Sequence, residues 1–112
     1  MSDDLTLLVI AFLEVISDPV RLEIIKLMKD GEITSKDVEE KLDISQPYAS
    51  QQLKALTEED LIKVRKEGTL KYYSIKHKEI FKVISVINSF VIEKERKKFS
   101  RLSKLDKLNS LK

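Results

Sequence analysis

The residues best suited to chemistry lie between Gln46 and Lys54 and between Lys63 and Lys71. The first set is polar and nearly uncharged: Gln46, Tyr48, Ser50 and Gln51. Amide and hydroxyl groups donate and accept hydrogen bonds at once. That suits them to base edges in a major groove, where one Gln amide can match adenine twice. The second set is cationic: Lys63, Arg65, Lys66 and Lys71 against Glu67. Such charges meet phosphates, which positions a duplex without reading it.

Two elements must position these groups. Ser45 is expected to cap a helix running to Leu56, with Pro47 in the first turn, where no N–H is needed. Ala49, Leu53 and Leu56 recur at i, i+4 and i+7 and share an inner face. At about 100° per residue, Pro47, Gln51 and Lys54 point outward and Tyr48 and Ser50 flank them. Alone, that period describes any amphipathic surface helix. The next segment of the chain narrows the reading. Leu61-Ile62-Lys63-Val64-Arg65-Lys66 and Leu70-Lys71-Tyr72-Tyr73-Ser74-Ile75 are β-prone runs joined through Gly68, a hairpin pattern. Arg65, Lys66, Thr69 and Lys71 lie on or next to its turn. Before the helix, Thr34 to Leu42 reads as a shorter helix, with Thr34 and Asp37 spaced as a capping box. Helix, turn at Ile44-Ser45, helix and basic hairpin make a winged helix-turn-helix. The expected DNA contacts are Gln46, Pro47, Tyr48, Ser50, Gln51, Lys54, Arg65, Lys66, Thr69 and Lys71.

Particular residues also carry a family likeness. Asp18-Pro19-Val20-Arg21-Leu22, followed by Ile24-Ile25-Lys26-Leu27, resembles the opening of the ArsR/SmtB transcriptional repressors. Ser45-Gln46-Pro47, Leu53, Leu56 and the stretch from Asp60-Leu61-Ile62 to Tyr73-Ser74-Ile75 resemble that family's recognition helix and wing. The likeness covers roughly residues 10 to 92. It implies a dimeric winged-helix DNA binder, often one released from DNA by a metal. Gln46, Ser50 and Gln51 match the family's base-reading positions. The metal-site residues do not match: Lys36-Asp37-Val38-Glu39 stands where sensing members carry Cys. The last helix has only His77 and Glu79 at its start and Glu93 and Glu95 far along.

Other chemistry is poorly supplied. The chain has no Cys, one His and two Gly, so it lacks disulfides, thiolate ligands and a Gly-rich phosphate loop. No nucleophile–base set is visible, and His77 reads as a surface residue at a helix start. The expectation is no enzyme, no cofactor and no metal.

At 112 residues, 42% hydrophobic and 36% charged, there is room for one domain with a modest core. The net charge of +2 hides a step. Residues 1–62 hold 6 Lys and Arg against 14 Asp and Glu; residues 63–112 hold 15 against 5. Positive charge therefore gathers in the hairpin and the C-terminal stretch, where phosphates can be met. No apolar run approaches the ~20 residues of a membrane span, and no basic region precedes the first apolar stretch. A cytoplasmic protein without a membrane partner is expected.

The fold class expected is mainly α with a small β-hairpin: a dimeric winged helix-turn-helix with long terminal interface helices. A second helix should run from Pro19 to about Lys29, closed by Gly31 as a left-handed cap. Residues 3–16 and His77 to about Lys98 carry more apolar positions than one buried face uses. Leu5, Leu8, Phe12, Ile84, Ile87 and Val91 are the expected homodimer contacts. Residues 1–98 form the DNA-binding and dimerisation domain. Residues 99–112 form a basic extension, whose Leu102, Leu105, Leu108 and Leu111 recur by three and make a poor helical stripe. The residues alone leave two other uses of this fold open: a protein-interaction module, and an architectural protein indifferent to sequence.

Overall fold

Side-chain caps set the helix ends in the computed structural model, which describes residues 3–110. Its residues fall into two units, one ending at Lys78 and the other beginning at Glu79.

In the first unit, α1 spans Asp3–Ile16 and opens on two acidic residues, which complement the helix dipole. Its last carbonyls are not left bare. Arg21 Nε donates to the Val15 carbonyl at 2.8 Å, and Ser17 Oγ donates to that of Glu14 at 2.8 Å. α2 spans Pro19–Leu27, with the Val20 and Arg21 amides donating to the Asp18 carboxylate. It stops two residues short of the expected end. Met28–Asp30 tightens into a 3-10 turn, and the Gly31 amide donates to the Met28 carbonyl at 3.2 Å. Gly31 sits at φ 138°, ψ −165°, which is not the left-handed helical cap expected. The 3-10 closure takes the carbonyl such a cap would have served, and the chain leaves extended toward Ile33.

α3 spans Ser35–Leu42 behind a complete capping box. The Asp37 amide donates to Thr34 Oγ1 at 3.2 Å, and the Thr34 amide to Asp37 Oδ2 at 2.9 Å. Asp43 turns the chain at φ 53°, a left-handed conformation that Asp tolerates. α4 spans Gln46–Glu58, capped by Ser45, whose Oγ accepts from the Tyr48 amide. β1 (Ile62–Glu67) and β2 (Leu70–Ile75) pair antiparallel, from Ile62 opposite Ile75 to Glu67 opposite Leu70. Gly68, at φ 63°, makes the tight turn. Ile33 forms an isolated antiparallel bridge with Tyr73 beside the two-stranded hairpin.

The core of this unit gathers Ile24 and Ile25 of α2, Val38 of α3, and Ala49, Leu53 and Leu56 of α4, all without exposed surface. Ile33, Ile62 and Ile75 close it from the sheet side. Each large apolar side chain so buried contributes about 1.5–3 kcal/mol. The helix-turn-helix is thus held as one piece, with the outer face of α4 left to solvent.

The second unit is α5, Glu79–Ser110. It begins two residues after His77 and continues past Lys98 without a break, so the change of composition at residue 99 falls inside a helix. Ile84 is 8% exposed within a single chain, leaving little surface for a partner. Val83, Val86, Ile87, Phe90, Val91 and Ile92 remain exposed. Leu111 lies outside the described residues, as do the side chains of Leu102, Leu105 and Leu108.

Candidate nucleic-acid interface

α4 divides its residues as the period requires. Gln46, Pro47, Tyr48, Ser50, Gln51 and Lys54 are exposed, and Ala49, Leu53 and Leu56 are buried. Lys54 lies 4.0 Å from Glu58, a loose and exposed pair that leaves the amine free to reach elsewhere. Gln52 departs from its type. It is buried at 9% exposure, and its Oε1 accepts no hydrogen bond among the described residues. Its signal is position: 49, 52, 53 and 56 complete the inward stripe of a helix.

The hairpin sorts its cations by its pleat, since alternate residues point to opposite faces. Val64, Lys71 and Tyr73 line a groove with Ser50, Lys54 and Thr57 of α4. Alternation puts Lys66 on that same face, directly across from Lys71 in the register. Two like charges opposite one another destabilise a hairpin unless an anion comes between or beside them. Neither lysine forms an ion pair among the described residues. Thr69 is exposed in the turn beside them.

A second groove, of about 420 Å³, opens between the start of α3, the start of α4 and the hairpin. Gln46, Ser50, Thr69 and Lys71 line it together with Ser35 and Lys36. The structure therefore brings Gln46 and Ser50 of the polar set and Lys71 of the cationic set onto one surface, while Pro47, Tyr48 and Gln51 are exposed on α4 without lining either groove. It also adds Ser35 and Lys36, which sequence reasoning did not single out. The available signal was a basic residue in the first turn of a helix, two residues after the cap Thr34. Tyr73 lines both grooves, and its partial burial pushes the phenol pKa up.

Arg65 is not brought into this surface. It lies on the other face of the hairpin, paired in register with Tyr72. Its Nε and Nη2 donate to the two oxygens of Glu32, both at 3.1 Å, and Nη1 donates to Glu67 at 2.8 Å. The Arg65 hydrogen bond holds the Glu32 carboxyl below the usual range, and the two carboxylates raise the guanidinium pKa further.

His77 is exposed, with Nε2 3.9 Å from Asp60 Oδ2, and Lys76 also pairs with Asp60. That cluster closes the base of the hairpin. No group of three His, Asp or Glu gathers as a metal site among the described residues, and the chain has no thiolate to offer. The residues present do not fit a cysteine metal centre.

Known proteins resemble this chain in sequence and in fold. The profile of the arsR family of bacterial regulatory proteins matches residues 18–64. The arsenical resistance operon repressor of Staphylococcus aureus is 34% identical over 76 residues, covering 68% of this chain and 73% of that protein. The transcriptional repressor SdpR of Bacillus subtilis is 38% identical over 60 residues, covering 54% and 67%. Among solved structures, the transcriptional repressor BigR of Xylella fastidiosa superposes with a TM-score of 0.66 at 26% identity, over 73% of this chain and 84% of that one.

Proposed function

The chain belongs to the arsR family of bacterial regulatory proteins, and from that premise we infer a sequence-specific transcriptional repressor that binds double-stranded DNA as a homodimer. One observation carries the DNA reading. Lys66 and Lys71, without an ion pair among the described residues, face each other across the hairpin, on the side where α4 exposes Gln46 and Ser50. Phosphates relieve the lysine repulsion while the amides reach base edges, so one docking pose satisfies both sets.

In this reading α4 enters the major groove and the hairpin lies along the backbone. Lys36 and Ser35, at the start of α3, take a phosphate on the opposite side of the groove. Two protomers place their α4 helices one helical turn apart, roughly 34 Å, on a near-palindromic site. The exposed apolar residues of α1 and α5, Leu5 and Leu8 on one and Ile87 and Val91 on the other, supply the dimer contacts, with half-buried Phe12 beside them. The protein works on DNA in the cytoplasm and is not an enzyme. Its release from DNA does not run through a cysteine-held metal, because the chain has no cysteine.

Selection of bound fragments from genomic DNA tests this directly. Recovery of a shared motif with half-sites about one turn apart supports it. Recovery of fragments without a common motif points instead to an architectural protein, and absence of DNA binding at low salt points to a protein-interaction module.

A further inference from the structure

Arg65 sits in the most cationic part of the hairpin, yet each of its three guanidinium nitrogens donates to a carboxylate. Nε and Nη2 hold Glu32 in a two-pronged contact, Nη1 holds Glu67, and the guanidinium carbon lies 4.6 Å from the centre of the Tyr72 ring. Three charges with two negative leave the trio at a net −1, which offers nothing to a phosphate. The pleat also turns Arg65 away from the α4 side that carries Lys66 and Lys71.

The location of Glu32 gives the contact a purpose. The next residue, Ile33, exchanges two backbone hydrogen bonds with Tyr73, at 2.9 and 2.8 Å. Thr34 then caps α3. A segment of three residues is therefore tied to β2 through its backbone and to β1 through Arg65, immediately before the helix-turn-helix begins. An exposed ion pair adds little to stability, but a two-pronged, ring-stacked one fixes an angle.

We propose that Arg65 is a positioning residue that locks the hairpin to the segment entering α3, and so sets the angle between hairpin and α4, rather than a ligand to DNA phosphate. This rests on the DNA-binding reading above. Arginine and lysine separate the two roles, because lysine keeps the charge but cannot make the fork or the stack.

The test measures affinity against salt for a selected DNA fragment, using the full chain and its Arg65→Gln, Arg65→Lys and Lys66→Ala variants. Arg65→Gln and Arg65→Lys should both weaken binding by roughly threefold to tenfold, a range typical of coupling between contacting groups. Neither should change the salt slope, whereas Lys66→Ala should lower it by about one. Amide exchange at Ile33 and Tyr73, read without DNA, should quicken in both Arg65 variants. A slope lowered by about one in Arg65→Gln and restored in Arg65→Lys would overturn the proposal, as would unchanged exchange. If the unaltered chain binds no DNA, the functional reading fails instead, and the exchange data still decide whether Arg65 locks the hairpin.

Discussion

Gln51 and Gln52 are neighbours of the same type with opposite fates. Gln51 faces solvent on α4, and nothing inside depends on it, since its neighbours Ala49, Leu53 and Leu56 form the core face. Gln51→Ala should therefore keep the fold and the nonspecific binding. It should lose about 1–3 kcal/mol on the cognate site, the worth of one two-pronged base contact. Binding to a panel of single-base operator variants checks this, and unchanged preference at every position would assign specificity to DNA shape. Gln52 is buried with a carbonyl oxygen unpaired among the described residues, which costs stability wherever no partner is found. Gln52→Met fills the same space without that oxygen and should raise stability by about 1 kcal/mol, read by denaturant unfolding. A loss of stability would mean that the amide is satisfied. The outward residues of α4 were legible because type and period agree there. Gln52 was not, because its type says surface while its place in the stripe says core.

Elements were legible where a cap or a turn has one cheap solution. Thr34 with Asp37, Ser45 with Pro47, and Gly68 each fixed an end that the structure repeats. The end of α2 was harder, since a 3-10 turn and a left-handed Gly cap begin from the same residues and differ in which carbonyl is taken and in the backbone angles at Gly31. Counting charges in the hairpin also misled. Arg65 and Lys66 look equivalent along the chain, but adjacent strand residues point to opposite faces, and a carboxylate distant in sequence, Glu32, captures one of them. In the proposed docking the lysines on the α4 side meet the DNA backbone. Lys66→Ala and Lys71→Ala should each weaken all sequences alike and lower the salt slope by about one. A sequence-selective loss from either would place that lysine on a base instead.

For the whole molecule, the proposed assembly rests on the terminal helices. Leu8 is 68% exposed and Phe90 66%, values that leave large apolar side chains in water unless a partner covers them. The sequence showed too many apolar positions for one buried face, but it could not say which of them a single chain already buries, and Ile84 is one. Leu8→Glu touches little inside the protomer and should yield a folded monomer by sedimentation. Tight operator binding should fall with it, because two weak half-sites act together only when linked. Leu8→Glu sedimenting as an intact dimer would move the interface off α1. Repression at a chosen operator requires above all that the assembled protein discriminate between sequences. The direct measurement is the ratio of affinities for a selected genomic fragment and for random duplex of equal length, at one stated salt concentration. A sequence-specific repressor should give a ratio of about 10³ or more, and a ratio near one would contradict that function.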